Sequence, residues 1–461
     1  MSESSNQVQN MTQGSPVRLL LRFMLPVLLG QLVQQTYNMA DSIIVGRILG
    51  ANALAAVGAS TSVQFMILGF CSGICDGFAI PVAQQFGAGD YGKMRTFLYH
   101  AILLTLGISL VLTSATALLT GQIIHLLNVS DEIAGNATLY LRIIFLGLPF
   151  TLFYNLQASL LRAVGNSRIP FLFLLTSSII NIFLDLFCVA VLDWGCAGAA
   201  IATITSQLLS GFLCLVYIWR KMQILHPRRE NRILSKDVAA KLLVMGLPMG
   251  LQFSITGIGS MVMQSSNNAL GSIYIAGYTA GDRVEQFVMC PYVALSSSVA
   301  TYVGQNFGAG KLDRIRSGVR SAALLGLLYG LIFGSLMALT GHTTASLFLS
   351  TNQANSGRIL RIASRFLTYV GFMFFMVTPV NVFRPALQGM GYPGRAVGSG
   401  VIEMIARTVF ALTMVPRLGF TAICLTHQTA WLTAGAYVIL VYYSVMQRQR
   451  VIKGRKQVDG S

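Results

Sequence analysis

The sequence predicts an all-α polytopic membrane protein: twelve transmembrane helices in two six-helix lobes related by a pseudo-twofold axis. Three observations predict it. Apolar residues fill 54% of the 461 positions and charged residues 10%, with a mean hydropathy of +0.65. A soluble chain carries about a quarter charged residues. Apolar runs long enough to span a bilayer, roughly 20 residues each, recur along the whole length. Finally, the chain repeats itself. Gln84-Gln85-Phe86-Gly87-Ala88-Gly89-Asp90 returns about 220 positions later as Gln305-Asn306-Phe307-Gly308-Ala309-Gly310-Lys311.

Taken in order, the first run covers about 20–44 and the second about 54–79. The second leads into the first Gly-Ala-Gly copy, with Lys93 and Arg95 behind it. Runs at about 96–120 and 137–157 follow, then Leu161-Arg162-Ala163-Val164-Gly165, then runs at about 169–192 and 197–219. After a polar linker the series restarts at about 241–264, where Leu247-Pro248 and Gln252 match Leu25-Pro26 and Gln31. The run at about 276–300 enters the second motif copy, followed by Arg314 and Arg316. Runs at about 317–339 and 363–383 precede Leu387-Gln388-Gly389-Met390-Gly391, and runs at about 397–416 and 423–446 complete the set. Ordered matches at a nearly constant offset mean that a whole half was duplicated. An even number of spans per half gives both copies the same orientation, a parallel repeat of the kind found in transporters. The runs are too long, and alternate too little, for barrel strands. Residues 1–220 form the N-terminal lobe, 221–240 a cytoplasmic linker, and 241–461 the C-terminal lobe with a basic cytoplasmic tail. Pro26, Pro149, Pro248, Pro291 and Pro379 should bend their spans where a helix faces a cavity.

The net charge of +17 is a topology signal. Arg18, Arg22, Lys93, Arg95, Arg162, Arg168, Lys311, Arg314, Arg316, Arg320, Arg384, Arg395 and the tail (Arg448, Arg450, Lys453, Arg455, Lys456) fall on one side if twelve helices alternate. The linker adds Arg220 to Lys241 to the same side. By the positive-inside rule both termini and the linker are cytoplasmic. No nucleic-acid module or stacking aromatics accompany the charge, so nucleic acid is not a partner. No cleavable leader is apparent: residues 1–15 are polar and the first run is long enough to stay as a span. Cys71 and Cys75 lack a histidine to complete a zinc set, so the seven cysteines read as small buried thiols.

Acids inside the membrane are expensive, about 2.5–3.5 kcal/mol on insertion scales, and mark function. Asp41, Asp185, Glu285 and Glu403 lie within runs, whereas Asp76 and Asp282 sit nearer their ends. Glu403 and Arg407 are four apart, which predicts an intrahelical ion pair. Asp282-Arg283-x-Glu285 invites local neutralisation, yet Glu285 is the second-half group best suited to greet a cationic substrate. Two carboxylates sharing a low-dielectric cavity can hold a proton between them, and with amide and hydroxyl oxygens they can ligate Na⁺. No other metal site and no cofactor is expected.

Tyr37-Asn38-Met39-Ala40-Asp41, the two Gly-Ala-Gly segments, Leu160 to Arg168, Asn181-Ile182-Phe183-Leu184-Asp185 and Gly198 to Thr203 resemble the multidrug and toxic compound extrusion (MATE) family over residues 18–446. The resemblance implies two lobes forming a V, alternating access, and export of cationic or amphipathic compounds driven by H⁺ or Na⁺. It lies closer to the DinF-like branch, whose coupling cluster carries over as Asp41, Asn181 and Asp185 with Tyr140, Asn155 and Thr203 in support. The other large branch has carboxylates where Thr256 and Val377 stand here, which puts a coupling site built on them in doubt.

Substrate contacts are expected from Gln34, Tyr37 and Asn38 in the first span, Met261, Gln264 and Asn267 in the seventh, Glu285 in the eighth, and Met373 and Phe374 in the tenth. Flexible methionine and aromatic surfaces repack around varied ligands, although the same residues also serve as ordinary helix packing. The Gly-Ala-Gly segments lack the lysine and hydroxyl of a phosphate loop, so ATP-driven transport would need a separate subunit. Three functions remain from different classes. A secondary antiporter of small organic cations or amphipathic drugs leads, placed in a bacterial or archaeal-type cytoplasmic membrane and working in lipid as a monomer without an obligate protein partner. A flippase for lipid-linked substrates would call for a more cationic interior than Arg283 and Arg407 supply. An intramembrane enzyme would need a His/Asp metal pair or a Ser/His dyad at one depth, and none is visible, so the chain is expected not to be an enzyme.

Overall fold

Ten of the runs fold as single long helices, because nothing within them forces the chain to turn. The computed structural model describes residues 8–127, 129–347 and 355–458. The tail side chains of Lys453, Arg455 and Lys456, and residues 1–7 of the polar leader, lie outside that description. In chain order the helices are α1 (Pro16–Ile48), α2 (Ala51–Ala88), α3 (Tyr91–Leu126), α4 (Asp131–Leu146), α5 (Leu148–Ala163), α6 (Arg168–Leu186) and α7 (Gly195–Lys221). The second half supplies α8 (Lys236–Asn268), α9 (Ser272–Gly308), α10 (Leu312–Ser346), α11 (Ser356–Phe372), α12 (Val377–Gly389), α13 (Pro393–Leu418) and α14 (Phe420–Val458).

The fourth run of each half breaks. Helices α4 and α5 meet at 46°, and α11 and α12 at 54°, so the described residues hold twelve candidate spans when each bent pair counts as one. The first break has a local cause. Gly147 sits so close to Ile204 that no Cβ fits, and Pro149 in the first turn of α5 removes a backbone donor where the new helix can spare one. At the second break Gly371 packs backbone against Gly334, and Pro379 stands in the first turn of α12.

The duplication is also written in backbone handedness. Gly50 (φ 86°) and Gly271 (103°), Gly89 (75°) and Gly310 (67°), Gly165 (88°) and Gly391 (88°), and Gly195 and Gly419 (both 56°) are left-handed. They pair across the halves at the same turns, where a side chain would be strained.

Residue contacts divide the chain into two units. The N-terminal unit holds residues up to Asn10 and Leu25–Ser254, and the C-terminal unit holds Met11–Met24 and Ile255–Ser461. The divisions fall inside α1 and α8 rather than in the linker. The duplicated motif explains why. In the C-terminal unit the Met11 N–H donates to Gln305 (2.8 Å), Asn306 donates to the Met11 carbonyl (3.1 Å), Lys311 to that of Thr12 (3.0 Å), and Arg314 to that of Gly14 (3.0 Å). These bonds fasten the lead-in to α1. In the N-terminal unit the stretch after the first copy does the same for α8. Asn231 donates to the Gly92 carbonyl (3.2 Å), Arg95 to that of Ile224 (3.2 Å), and the Ser235 N–H to His100 Nε2 (2.9 Å). The Gly-Ala-Gly segments therefore end one helix and hold the start of another.

Packing in the N-terminal unit centres on α2, which lies against α3, α4 and α5, while α7 lies against α4, α5 and α6. The first part of α8 closes on α2 with backbone touching backbone. A Cβ on Gly77 would stand 2.5 Å from the Cα of Gly246, and one on Gly73 would collide with Met249. Small residues allow such approach in lipid, where dispersion and weak polar contacts replace the hydrophobic effect. In the C-terminal unit α9 lies against α10, α11 and α12, and α14 against α11, α12 and α13. Phe366, Phe374, Tyr292 and Trp431 fill the space between them. All seven cysteines are buried free thiols.

Candidate functional site

The N-terminal unit gathers the first polar cluster. Tyr37 and Asp41 lie one turn apart on α1, and Asn181 and Asp185 one turn apart on α6, so each pair shares a helix face. Helix α4 adds Tyr140 and α7 adds Thr203. Tyr37 interacts with both carboxylates and reaches the Thr203 hydroxyl. Tyr140 faces Asp41, Tyr37 and Asp185 and reaches Gln64 on α2, and the two carboxylates face each other. Asn181 and Asp185 are 1% and 0% exposed. Both carboxylate oxygens of Asp185, both amide atoms of Asn181 and Oδ1 of Asp41 have no hydrogen-bond partner among the described residues. Buried polar atoms are nearly always satisfied, which makes this cluster the candidate site of the unit. No group of three or more His, Cys, Asp or Glu is placed to hold a metal ion among the described residues. The oxygen donors here are two carboxylates, an amide and hydroxyls. Thr203 is half-buried, its hydroxyl donating to the Ala199 carbonyl (3.0 Å). Asn155 is half-buried on α5 and makes no hydrogen bond to the group among the described residues. Gln64 was not foreseen, since an amide in an apolar run shows its purpose only when another helix brings a partner.

The C-terminal unit treats its charges differently. Arg407 donates to Glu403 (2.6 Å) and to Ser260 (2.7 Å). Arg384 Nη1 lies 3.6 Å from the other Glu403 oxygen. The intrahelical pair thus forms as expected, but Arg384 does not lie in a basic loop after the tenth run. It is inside α12, because the bent pair carries the helix on to Gly389. Glu285 is buried with Oε1 3.4 Å from His427 Nδ1. Its neighbour Asp282 accepts from Gln286 (2.6 Å). Arg283 is exposed, and no ion pair joins it to either acid among the described residues. In the other unit Asp76 is likewise neutralised. Ser159 (2.6 Å) and Arg162 (2.9 Å) both donate to it, across a sequence gap that no local pattern reveals.

The substrate candidates are divided between the two units. Gln34 and Tyr37 are half-buried and Asn38 exposed. Met261 and Gln264 are half-buried, with Gln264 donating to Asn268 (2.8 Å). Asn267 is fully buried with both amide atoms unpartnered among the described residues. Met373 is exposed, and Phe374 is buried edge-on between Tyr292 and Trp431.

The MatE family model matches residues 26–187 and again 248–413, one match for each copy of the repeat. The chain belongs to the MATE family. MATE proteins are transporters rather than enzymes, and this one is a multi-pass membrane protein of the multidrug efflux type. It is 30% identical over 304 residues, 66% of this chain and 68% of the relative, to the probable multidrug resistance protein YpnP of Bacillus subtilis (strain 168). The multidrug export protein MepA of Staphylococcus haemolyticus (strain JCSC1435) is 23% identical, with 96% of each chain covered. Among solved structures, a MOP superfamily transporter from Pyrococcus furiosus superposes with a TM-score of 0.90 at 20% identity, covering 96% of this chain and 98% of that one. An outward-facing MATE transporter superposes at 0.89, also at 20% identity and with the same coverage.

Proposed function

We propose that this MATE protein is a secondary antiporter that exports cationic or amphipathic organic compounds in exchange for H⁺ or Na⁺, with Asp41 and Asp185 as its coupling site. It works in the cytoplasmic membrane with both termini and the linker on the cytoplasmic side, as the distribution of Arg and Lys supports. The supporting observation is the open, acid-only cluster of the N-terminal unit. Two carboxylates facing each other in a dry interior repel, and neither has a basic partner. A proton, or a Na⁺ ion held by the same oxygens with Asn181, removes that repulsion. The cation and the drug then favour different conformations of the protein, which couples the gradient to export. The grouping of Asp41, Asn181 and Asp185 also supports the DinF-like branch.

The test is transport of a fluorescent organic cation in proteoliposomes, with ΔpH and ΔNa⁺ imposed separately. One gradient should drive uptake or efflux in the unaltered protein. Asp41→Asn should abolish the driven component, and Asp185→Asn should weaken it or move its pH dependence. Normal gradient-driven export by folded Asp41→Asn would overturn the assignment. A second reading, movement of an anionic lipid-linked substrate, draws on the cluster of Arg384 and Arg407 around a single Glu403. Transfer of a labelled anionic lipid without transport of the organic cation would favour it.

A further inference from the structure

We infer that Glu285 and His427 form a second proton-binding site, within the C-terminal unit and independent of Asp41 and Asp185. Neither the antiport assignment nor the ion-pair network of Glu403 uses these two residues. They come from separate helices, α9 and α14, and meet at 3.4 Å through Glu285 Oε1 and His427 Nδ1. Both are at least nine-tenths buried. The outward-facing atoms of the pair, Glu285 Oε2 and His427 Nε2, have no hydrogen-bond partner among the described residues.

The geometry fixes what the pair can do. The carboxylate beside Nδ1 holds the tautomer that donates from Nδ1, leaving the lone pair of Nε2 free. An incoming proton adds to that lone pair, producing an imidazolium held by a carboxylate. The pair then carries no net charge, whereas without the proton it carries one negative charge in a dry interior. Its walls are aromatic. The His427 ring meets Phe366 at 6.1 Å and Trp431 at 5.5 Å, both edge to face.

Other charges nearby reinforce this or are occupied. On α9, Asp282 lies one turn from Glu285 and interacts with both members of the pair, and exposed Arg283 is adjacent. The Tyr278 hydroxyl faces Asp282 and Glu285. Arg365 on α11 donates to Thr421 (2.7 Å), and Cys424 on α14 is a buried thiol. Arg407 on α13 and Arg384 on α12 are committed to Glu403. Helix α10 carries exposed His342, and Asp313, Arg314, Arg316 and Arg320 in its opening turns. The segment of α8 in this unit, 255–268, has no charged residue.

Trp431 makes the proposal readable, because an imidazolium quenches an indole it touches while neutral imidazole does so weakly. Trp219 stacks near His226 (5.6 Å) and would add its own response. The experiment therefore uses the full chain with Trp194→Phe and Trp219→Phe, leaving Trp431 as the sole tryptophan. In detergent, emission should fall on acidification as the imidazole takes up a proton. His427→Gln should abolish that transition. Glu285→Gln should move its midpoint, since the carboxylate beside Nδ1 is gone. The transition should persist with Asp41→Asn, which separates this site from the coupling pair. Emission that does not change with pH, a transition retained in His427→Gln, an unmoved midpoint in Glu285→Gln, or loss of the transition in Asp41→Asn would each overturn the inference. If His427→Gln fails to fold, as judged by size-exclusion profile, the parent and Glu285→Gln titrations still decide it.

Discussion

The two units bury acids on opposite terms. In the N-terminal unit Asp41 and Asp185 face each other with hydroxyls and an amide around them and no basic group among the described residues. In the C-terminal unit Glu403 is gripped by Arg407 and approached by Arg384, and Glu285 rests on a histidine. A buried ion pair is a weak source of stability but a costly thing to break. An unpaired buried acid, in contrast, is a standing cost that only a visiting cation relieves.

The largest expected effect tests that contrast through stability. Glu403→Gln strands two buried guanidinium groups, and breaking such a pair costs about 3–5 kcal/mol. Its unfolding midpoint in detergent should fall sharply. Asp185→Asn, measured alongside, should leave the midpoint unchanged or raise it, because a charge without a partner is removed. Equal losses in the two variants would break the comparison. Transport provides the next test. Conformational coupling between two ligands is worth about 1–3 kcal/mol, or 5–150-fold, and Asp41→Asn should remove it, abolishing gradient-driven export at equal protein abundance. Glu403→Gln should reduce export only in proportion to the folded protein that remains.

Backbone packing should show no such contrast between the units. Gly77→Ala and Gly371→Ala each push a methyl group into a neighbouring main chain. Each should cost about 1–3 kcal/mol as overpacking, read as parallel drops in thermal midpoint. A large loss in one unit alone would show that the asymmetry reaches beyond charge.

The smallest effect belongs to a turn. Asp90 caps α3, accepting from the Lys93 N–H (3.0 Å), whereas Lys311 at the matching place makes no side-chain cap. The Lys93 backbone N–H, followed by its ammonium group, holds the Asp90 carboxyl below the usual carboxylate range. A depressed value means that its contribution is present above the ordinary carboxylate pKa of about 4 and is lost as acid takes the pH down through the folded value. Asp90→Ala should cost about 1 kcal/mol at neutral pH and correspondingly less in acid. A cost that persists unchanged in acid would mean that the cap acts through shape rather than charge.

The spans were legible because apolar length is a one-dimensional property. All twelve runs lie on helices, and the two bent ones are the fourth of each half. The breaks themselves were harder to see, since Gly147 matters through Ile204, a residue in another helix. The grouping of Asp41, Asn181 and Asp185 came from the family resemblance; what the residues themselves made legible was that each acid sits one turn from a polar neighbour on its own helix. Arg384 was misread because a basic residue just past an apolar run looks like the start of a loop, and only the bend that extends α12 carries it inward. His427 drew no attention because a lone histidine announces nothing until Glu285 arrives from another helix. Chemistry carried by one helix is visible in sequence, and chemistry shared between helices is not.

The paired left-handed glycines have a consequence for how far the halves can drift apart. An L-residue has a hand and pays about 1–2 kcal/mol to turn the wrong way, while glycine alone has none. At four turns the chain therefore places an achiral residue in both copies, eight glycines in all. Elsewhere the copies are free to differ, as Asp41 and Val262 do at the offset that relates Gly50 to Gly271. Mirror symmetry of a single atom, the glycine Cα, is what keeps two chemically unlike halves in step along the same path.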